Sequence, residues 1–335
     1  MKPLDDVCAR ARGLATHLLR PAEWQGLAAA ADLPAFLVRL EGAREPLRLR
    51  ALPPEAAAVE LAVRRRAAER LALLARWCGD RSALLEAIFG DEDRRSLRAL
   101  VRGAAAGAAP EARLAATLPT PALPVRALET LAAQPNVPAM AALLTAWGHP
   151  LASALQGAPK RGPLDLLALE AALTRAFAAR ALAAARRGDA VLRAYLAGLL
   201  DMENALAALA LTAAPSELEP KAVLVGGGSV PLSALEKVAR ARPSVPALRA
   251  AEEAFRGTLF AAAFSDLEPS RLAERLASLL HAHVHRLART DPLGSAPVLD
   301  YVLRLRAEVQ RFQRVAWGLA LGAPVHERLS EVAPP

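Results

Sequence analysis

Along most of this chain apolar residues recur three or four positions apart, the spacing of a helix face rather than the alternation of a strand. The pattern predicts a first helix over 5–20, closed by Pro21, and a second over 22–31. A third opens with Pro34 near its N-terminus and stops at Gly42, and long helices follow over 54–78 and 81–105. The order then recurs. Residues 125–133 predict a short helix, Pro138 takes the place of Pro34, and Pro150–Leu151 echoes Pro46–Leu47. A long helix over 163–187 breaks at Gly188–Asp189 and leads into the apolar stretch Tyr195–Leu211. The third pass runs through 231–240, a segment led by Pro246, a helix over 269–289, a turn at Asp291–Gly294 and a last helix over 296–321.

Two independent markers share one period. The Pro-Ala-hydrophobic triplets beginning at Pro34, Pro138 and Pro246 lie 104 and 108 residues apart. Acidic residues followed three positions later by a polar one occur as Asp93–Ser96, Asp201–Asn204 and Glu308–Arg311, with the acids 108 and 107 residues apart. One helical unit written three times is the reading: residues 1–108, 109–215 and 216–335, with linkers near 104–124 and 216–231. A period of that length exceeds a solenoid repeat. The expected fold is all-α, three similar helical bundles closed up around a pseudo-threefold axis. On the helix Tyr195–Leu211, Asp201 and Asn204 share one face among Leu199, Leu200 and Leu206. Buried polar groups require partners. The six residues of the three pairs are therefore expected to bond to neighbouring helix ends or to the preceding arm, locking each unit.

Composition strengthens the helical reading. Hydrophobic residues make up 54% of the chain but aromatic ones only 4%, and Ala with Leu, Arg and Glu favours helix over strand. The only lysines are Lys2, Lys160, Lys221 and Lys237, so arginine supplies nearly all of a net charge of +8. The basic residues are scattered, without aromatic interleaving or a recognition motif, and no nucleic-acid partner is expected. Cys8 and Cys78 fit no ligand or redox spacing and suit a reduced, cytosolic protein. The N-terminus has no apolar run of a signal peptide. Residues 130–159 carry no Asp, Glu, Lys or Arg, but Pro135, Pro138 and Pro150 divide them, and no membrane span is expected.

Candidate chemistry is sparse. Gly226-Gly227-Gly228-Ser229 lacks the Lys that a phosphate-binding loop places after its glycines, and predicts a turn between short extended pieces. His281 and His285 share a helix face while His283 points away, so at most two could bind one ion, and no Cys or acid supports them. His17, His149 and His326 stand alone and suit packing or capping. Glu252–Glu253 and Asp91–Glu92–Asp93 are expected in solvated runs. No catalytic residue, cofactor site or metal site is predicted.

Several stretches, in order, resemble the C subunit of the bacterial and archaeal A/V-type (vacuolar-type) ATPases, the counterpart of the d subunit of the vacuolar enzyme. They are A-R-A-R-G-L-A-T-H-L-L near the N-terminus, H-P-L-A-S-A-L at 149–155, and Y-L-A-G-L-L-D-M-E-N at 195–204. V-L-V-G-G-G-S-V at 223–230 and D-P-L-G-S-A-P-V-L-D-Y-V at 291–302 continue the series into the Glu308/Arg311 helix and G-A-P at 322–324. The resemblance implies a non-catalytic rotor part without cofactors. It implies a funnel of three helical domains on the proteolipid (c/L) ring that receives the foot of the central shaft, made of the D and F subunits, with the I/a subunit of the membrane sector as a further neighbour. It implies a peripheral location on the cytoplasmic face of the membrane. Ser96 stands where the family often has Asn, and Ala207–Ala208 follow the second pair without an Arg.

Overall fold

Why the chain turns where it does is visible at the helix starts. In the computed structural model, which describes residues 3–41, 55–159, 164–213, 218–241, 244–265 and 271–332, every regular element among the described residues is helical. The first pass comprises α1 (Asp5–Ala15), α2 (Pro21–Ala28), α3 (Leu33–Glu41), α4 (Ala56–Cys78) and α5 (Ser82–Ala105). The second comprises α6 (Pro110–Arg113), α7 (Val125–Ala132), α8 (Val137–Ala146), α9 (Ala152–Leu155), α10 (Leu166–Ala185) and α11 (Ala190–Ala213). The third comprises α12 (Pro220–Val223), α13 (Leu232–Arg240), α14 (Ser244–Ala254), a 3₁₀ turn (Ala261–Phe264), α15 (Leu272–Thr290) and α16 (Ala296–Ala320); α17 (Val325–Val332) follows. Asp32 and Asn136, each two residues before the marker proline, accept a hydrogen bond from the backbone N–H of Ala35 and Ala139 at 2.8 and 2.9 Å. They cap α3 and α8, while proline supplies a first turn that needs no donor.

The same order therefore appears three times: a short helix, two further short helices, a long helix, then a second long helix. Five pieces go beyond the helices that periodicity predicts: α6, α9, α12, the 3₁₀ turn and α17. Each is eight residues or shorter, too brief for a helical period to register. The first helix ends at Ala15 rather than reaching Pro21, which leaves 16–20 as a non-helical arm. The Pro46–Leu47 echo lies outside the described residues.

Packing follows one rule. Each last long helix lies against the long helix of the next pass: α5 on α10, α11 on α15, and α16 back on α4. Gly90 and Gly198, at matching places in α5 and α11, make the first two approaches possible. A Cβ on Gly90 would stand 3.3 Å from Phe177, and one on Gly198 would stand 3.1 Å from Leu280. Where α16 returns to the first pass, Phe312 meets Trp24 at 4.6 Å and Phe36 at 6.4 Å between ring centroids. One apolar core runs from Leu4 in the first pass to Leu319 in α16.

Candidate functional site

Beside α5, α10, α11, α15 and α16 lies a cavity of about 990 Å³, lined by side chains of all five. The three polar pairs sit on α5, α11 and α16, beside short non-helical segments that we term straps. The second pair is the most completely bonded. Asn204 Nδ2 donates to the carbonyl of Val225 at 2.7 Å and its Oδ1 accepts the Val225 N–H at 2.8 Å. Asp201 accepts the N–H of Ser229 at 2.9 Å, the N–H of Val230 at 3.0 Å and the Ser229 hydroxyl. Both side chains are 1% exposed. The glycine run is what lets the strap lie so close: a Cβ on Gly228 would fall 2.1 Å from Asp201 Oδ1, and Gly227 has φ +108°.

The first pair repeats the scheme on residues 118–120. Ser96 Oγ accepts the N–H of Leu118 at 3.0 Å and donates to its carbonyl at 3.3 Å, while Thr120 donates its hydroxyl to Asp93. His149 joins here. Its Nδ1 accepts the N–H of Leu151 at 3.2 Å and its Nε2 stands 3.4 Å from Asp93 Oδ2.

The third pair differs. Glu308 Oε2 accepts the N–H of Leu19 at 2.7 Å, from the arm before α2, and Arg70 lies 3.5 Å away. Burial pushes the Glu308 carboxyl up from its ordinary value, against the Leu19 N–H and Arg70. Arg311 has no hydrogen-bond or ion-pair partner among the described residues and lines the cavity instead. In the first two pairs the bonded segment follows the helix in sequence, at 118–120 and 225–230. Only Glu308 reaches an earlier segment, and that one belongs to the first pass.

Between the helices lies a charge cluster that sequence reasoning does not reveal. Asp91, Glu92 and Asp93, expected in a solvated run, are 0%, 3% and 5% exposed. Arg94, fully buried, donates to Asp91 at 2.6 Å and to Glu203 at 3.0 Å. Arg306 of α16 donates to Asp91 at 3.0 Å and to Glu92 at 2.6 Å. Arg98 bridges Glu203 and Glu170, and Arg102 also pairs with Glu170. Burial alone would raise both acids, but Arg95, Arg94 and Arg306 hold Asp91 well below the usual carboxylate range, and Arg94 and Arg98 bring Glu203 down to about 2. The miss has a physical reason. Acid and base in one helix mark a solvated face as readily as a buried pair, until partners on α10, α11 and α16 are seen. The local signals are the i, i+3 and i, i+4 spacings of Arg94 and Arg95 from Asp91.

No cluster of metal-binding residues occurs among the described residues. His281 faces the cavity, where burial and then Arg306 and Arg95 press its pKa down to about 4. His285 Nδ1 lies 3.0 Å from Asp300 instead. Cys8 and Cys78 are free and buried, with thiols pushed by burial up to about 11. Among the described residues one helix, Ala190–Thr212, is long and apolar enough by composition to cross a membrane. It is the α11 segment that carries Asp201, Glu203 and Asn204 and packs on α13, α14 and α15, so protein contacts account for its apolar character.

Compared with known proteins, residues 7–329 match the family described as ATP synthase (C/AC39) subunit. The chain belongs to that family. No curated protein sequence matches it closely enough to be named as a relative. Membership makes this the C/AC39 component of an A/V-type ATP synthase, a peripheral part of the machinery that links ATP chemistry to ion transport, in association with other subunits of that complex. In this C/AC39 protein the match spans the three strapped helices, the charge cluster and the cavity.

Proposed function

We propose that the protein is the non-catalytic rotor adaptor of its complex, seating the foot of the central shaft in the cavity while the opposite end rests on the proteolipid ring. The carrying observation is the cavity itself, lined by five long helices and presenting arginine, glutamate and glutamine. Those charged side chains stand among apolar ones from the same helices, a mixture that suits the end of an inserted polypeptide. On this reading the units 1–108, 109–215 and 216–335 form a ring about a pseudo-threefold axis, and Asp93, Ser96, Asp201, Asn204 and Glu308 lock each unit to the next. The helix packing and the three straps support it, because both close from the last pass onto the first. A torque-bearing coupler must resist slippage between its parts, and charge-assisted hydrogen bonds to backbone groups are directional. The location is the cytoplasmic face of the membrane, with the I/a subunit as neighbour. The net positive charge favours acidic loops or anionic head groups there.

Pull-down with purified D–F shaft and with proteolipid-containing membranes tests the assignment. Binding to both is expected, and binding to neither would sink it. An unrelated all-α scaffold would bind neither, and a nucleic-acid-binding protein would retard DNA in a gel.

A further inference from the structure

Arg311 occupies in α16 the position that Ser96 holds in α5 and Asn204 in α11. Both of those side chains are consumed by their straps, each giving and accepting a hydrogen bond with one backbone residue. A guanidinium cannot repeat that, because it has donors and no acceptor. Glu308 holds the arm through Leu19 without it.

The cavity wall explains what remains. Arg98 and Arg102 are answered by Glu170 and Glu203, and Arg314 by Glu274 across the cavity. The α16 wall itself contributes arginines and glutamines but no carboxylate. Arg311 is half-buried there, with burial and Arg314 both acting against its charge and Glu308 in its favour. It stays protonated all the same, since a guanidinium does not lose its proton in a protein.

We infer that Arg311, the unpaired arginine of the α16 wall, is a docking cation of the cavity and takes a carboxylate from the polypeptide that enters it. The inference rests on the adaptor reading above and adds the chemistry of the contact. It assigns the third pair a role that the first two lack, binding a partner rather than a strap. The planar fork of Arg matches a carboxylate in two-point fashion, which fixes direction as well as distance. A contact of that kind suits a part that must not rotate within its socket.

The test uses the full chain with purified D–F shaft, comparing wild type, Arg311→Ala, Arg311→Lys and Arg311→Glu in low and high salt. Arg311→Ala should weaken binding about tenfold to a hundredfold and Arg311→Glu more, with Arg311→Lys between wild type and Ala. The wild-type advantage should shrink as salt rises. Thermal unfolding of Arg311→Ala should match wild type within about a degree, because no intramolecular partner is lost. Binding unchanged in the Ala and Glu variants would overturn the inference alone. So would a fall in Tm of several degrees, which would make Arg311 a structural residue. Competition by millimolar inorganic phosphate that abolishes shaft binding only when Arg311 is present would reassign the site to a free anion. Wild type that fails to bind the shaft would instead remove the adaptor reading on which the inference stands.

Discussion

The second and third polar pairs occupy matching places on α11 and α16, yet they solve the same problem with different chemistry. Asp201 and Asn204 satisfy five polar groups of one strap, and the pair is sealed from water. Glu308 satisfies one N–H, of Leu19, with Arg70 at 3.5 Å, while its neighbour Arg311 turns to the cavity. The difference follows chain connectivity. The strap 225–230 lies 21 to 29 residues beyond the side chains that hold it, so the pair joins two consecutive passes. Leu19 is 289 residues from Glu308, and that contact is backed by a broader packed seam: α16 on α1, α3 and α4, and α17 on α2. Where hydrophobic packing already holds two elements together, the polar pair is released for other use.

The comparison can be broken at several points. Asp201→Ala should be the most damaging change, leaving the Ser229 and Val230 amides and a hydroxyl without acceptors, at about 3–5 kcal/mol by urea unfolding. Gly228→Ala should follow at about 2–4 kcal/mol, since the new Cβ meets the Asp201 carboxylate. Asn204→Leu should lower stability by about 2–3 kcal/mol, because both polar groups of Val225 lose their partner. An unchanged Tm in this variant would show that the strap is held by packing alone. Glu308→Gln should do least, within about 1 kcal/mol of wild type and on the stabilising side at neutral pH. A loss as large as that of Asp201→Ala would erase the distinction.

The pH dependence sharpens the same contrast. Burial raises the folded pKa of Glu308 above that of an unfolded glutamate, about 4.3. Its favourable contribution is thus present below the unfolded value and is lost as pH rises through the folded one. The gap between wild type and Glu308→Gln should therefore open at neutral pH and close in acid. Glu203 behaves in the opposite sense. Its folded pKa is drawn down to about 2 by Arg94 and Arg98 against burial, so its contribution is present above about 4.3 and disappears as pH falls toward 2. Glu203→Gln should flatten the acid limb of a stability profile, a result that Glu308→Gln cannot reproduce.

Much of the fold is legible because helices announce themselves through short-range periodicity and prolines. The long helices α4, α5, α10, α11, α15 and α16 fall within a few residues of their expected spans. The arm at 16–20 is hidden inside the first predicted helix, because Leu18 and Leu19 continue its apolar period. The arm instead leaves the helix and gives the Leu19 N–H to Glu308. Gly226–Gly228 predicts a turn and forms one, but what it turns over, Asp201, lies far back in the chain and leaves no local mark.

The candidate site is legible only as positions. The spacing of Asp93, Asp201 and Glu308 locates three matching helices, because a repeated unit leaves a repeated sequence. It cannot say which pair closes on which strap, nor that Asp91 and Arg306, at matching places in α5 and α16, meet as opposite charges 3.0 Å apart. Sequence alone determined the helical class, the period and the family resemblance, all of which depend on order along the chain. The tertiary structure decided the closure of α16 on the first pass, the burial of the charge cluster and the exposure of Arg311 to the cavity. Those depend on which side chains meet across long stretches of chain, and whether a charge is solvated or paired is set by that meeting and not by its neighbours in sequence.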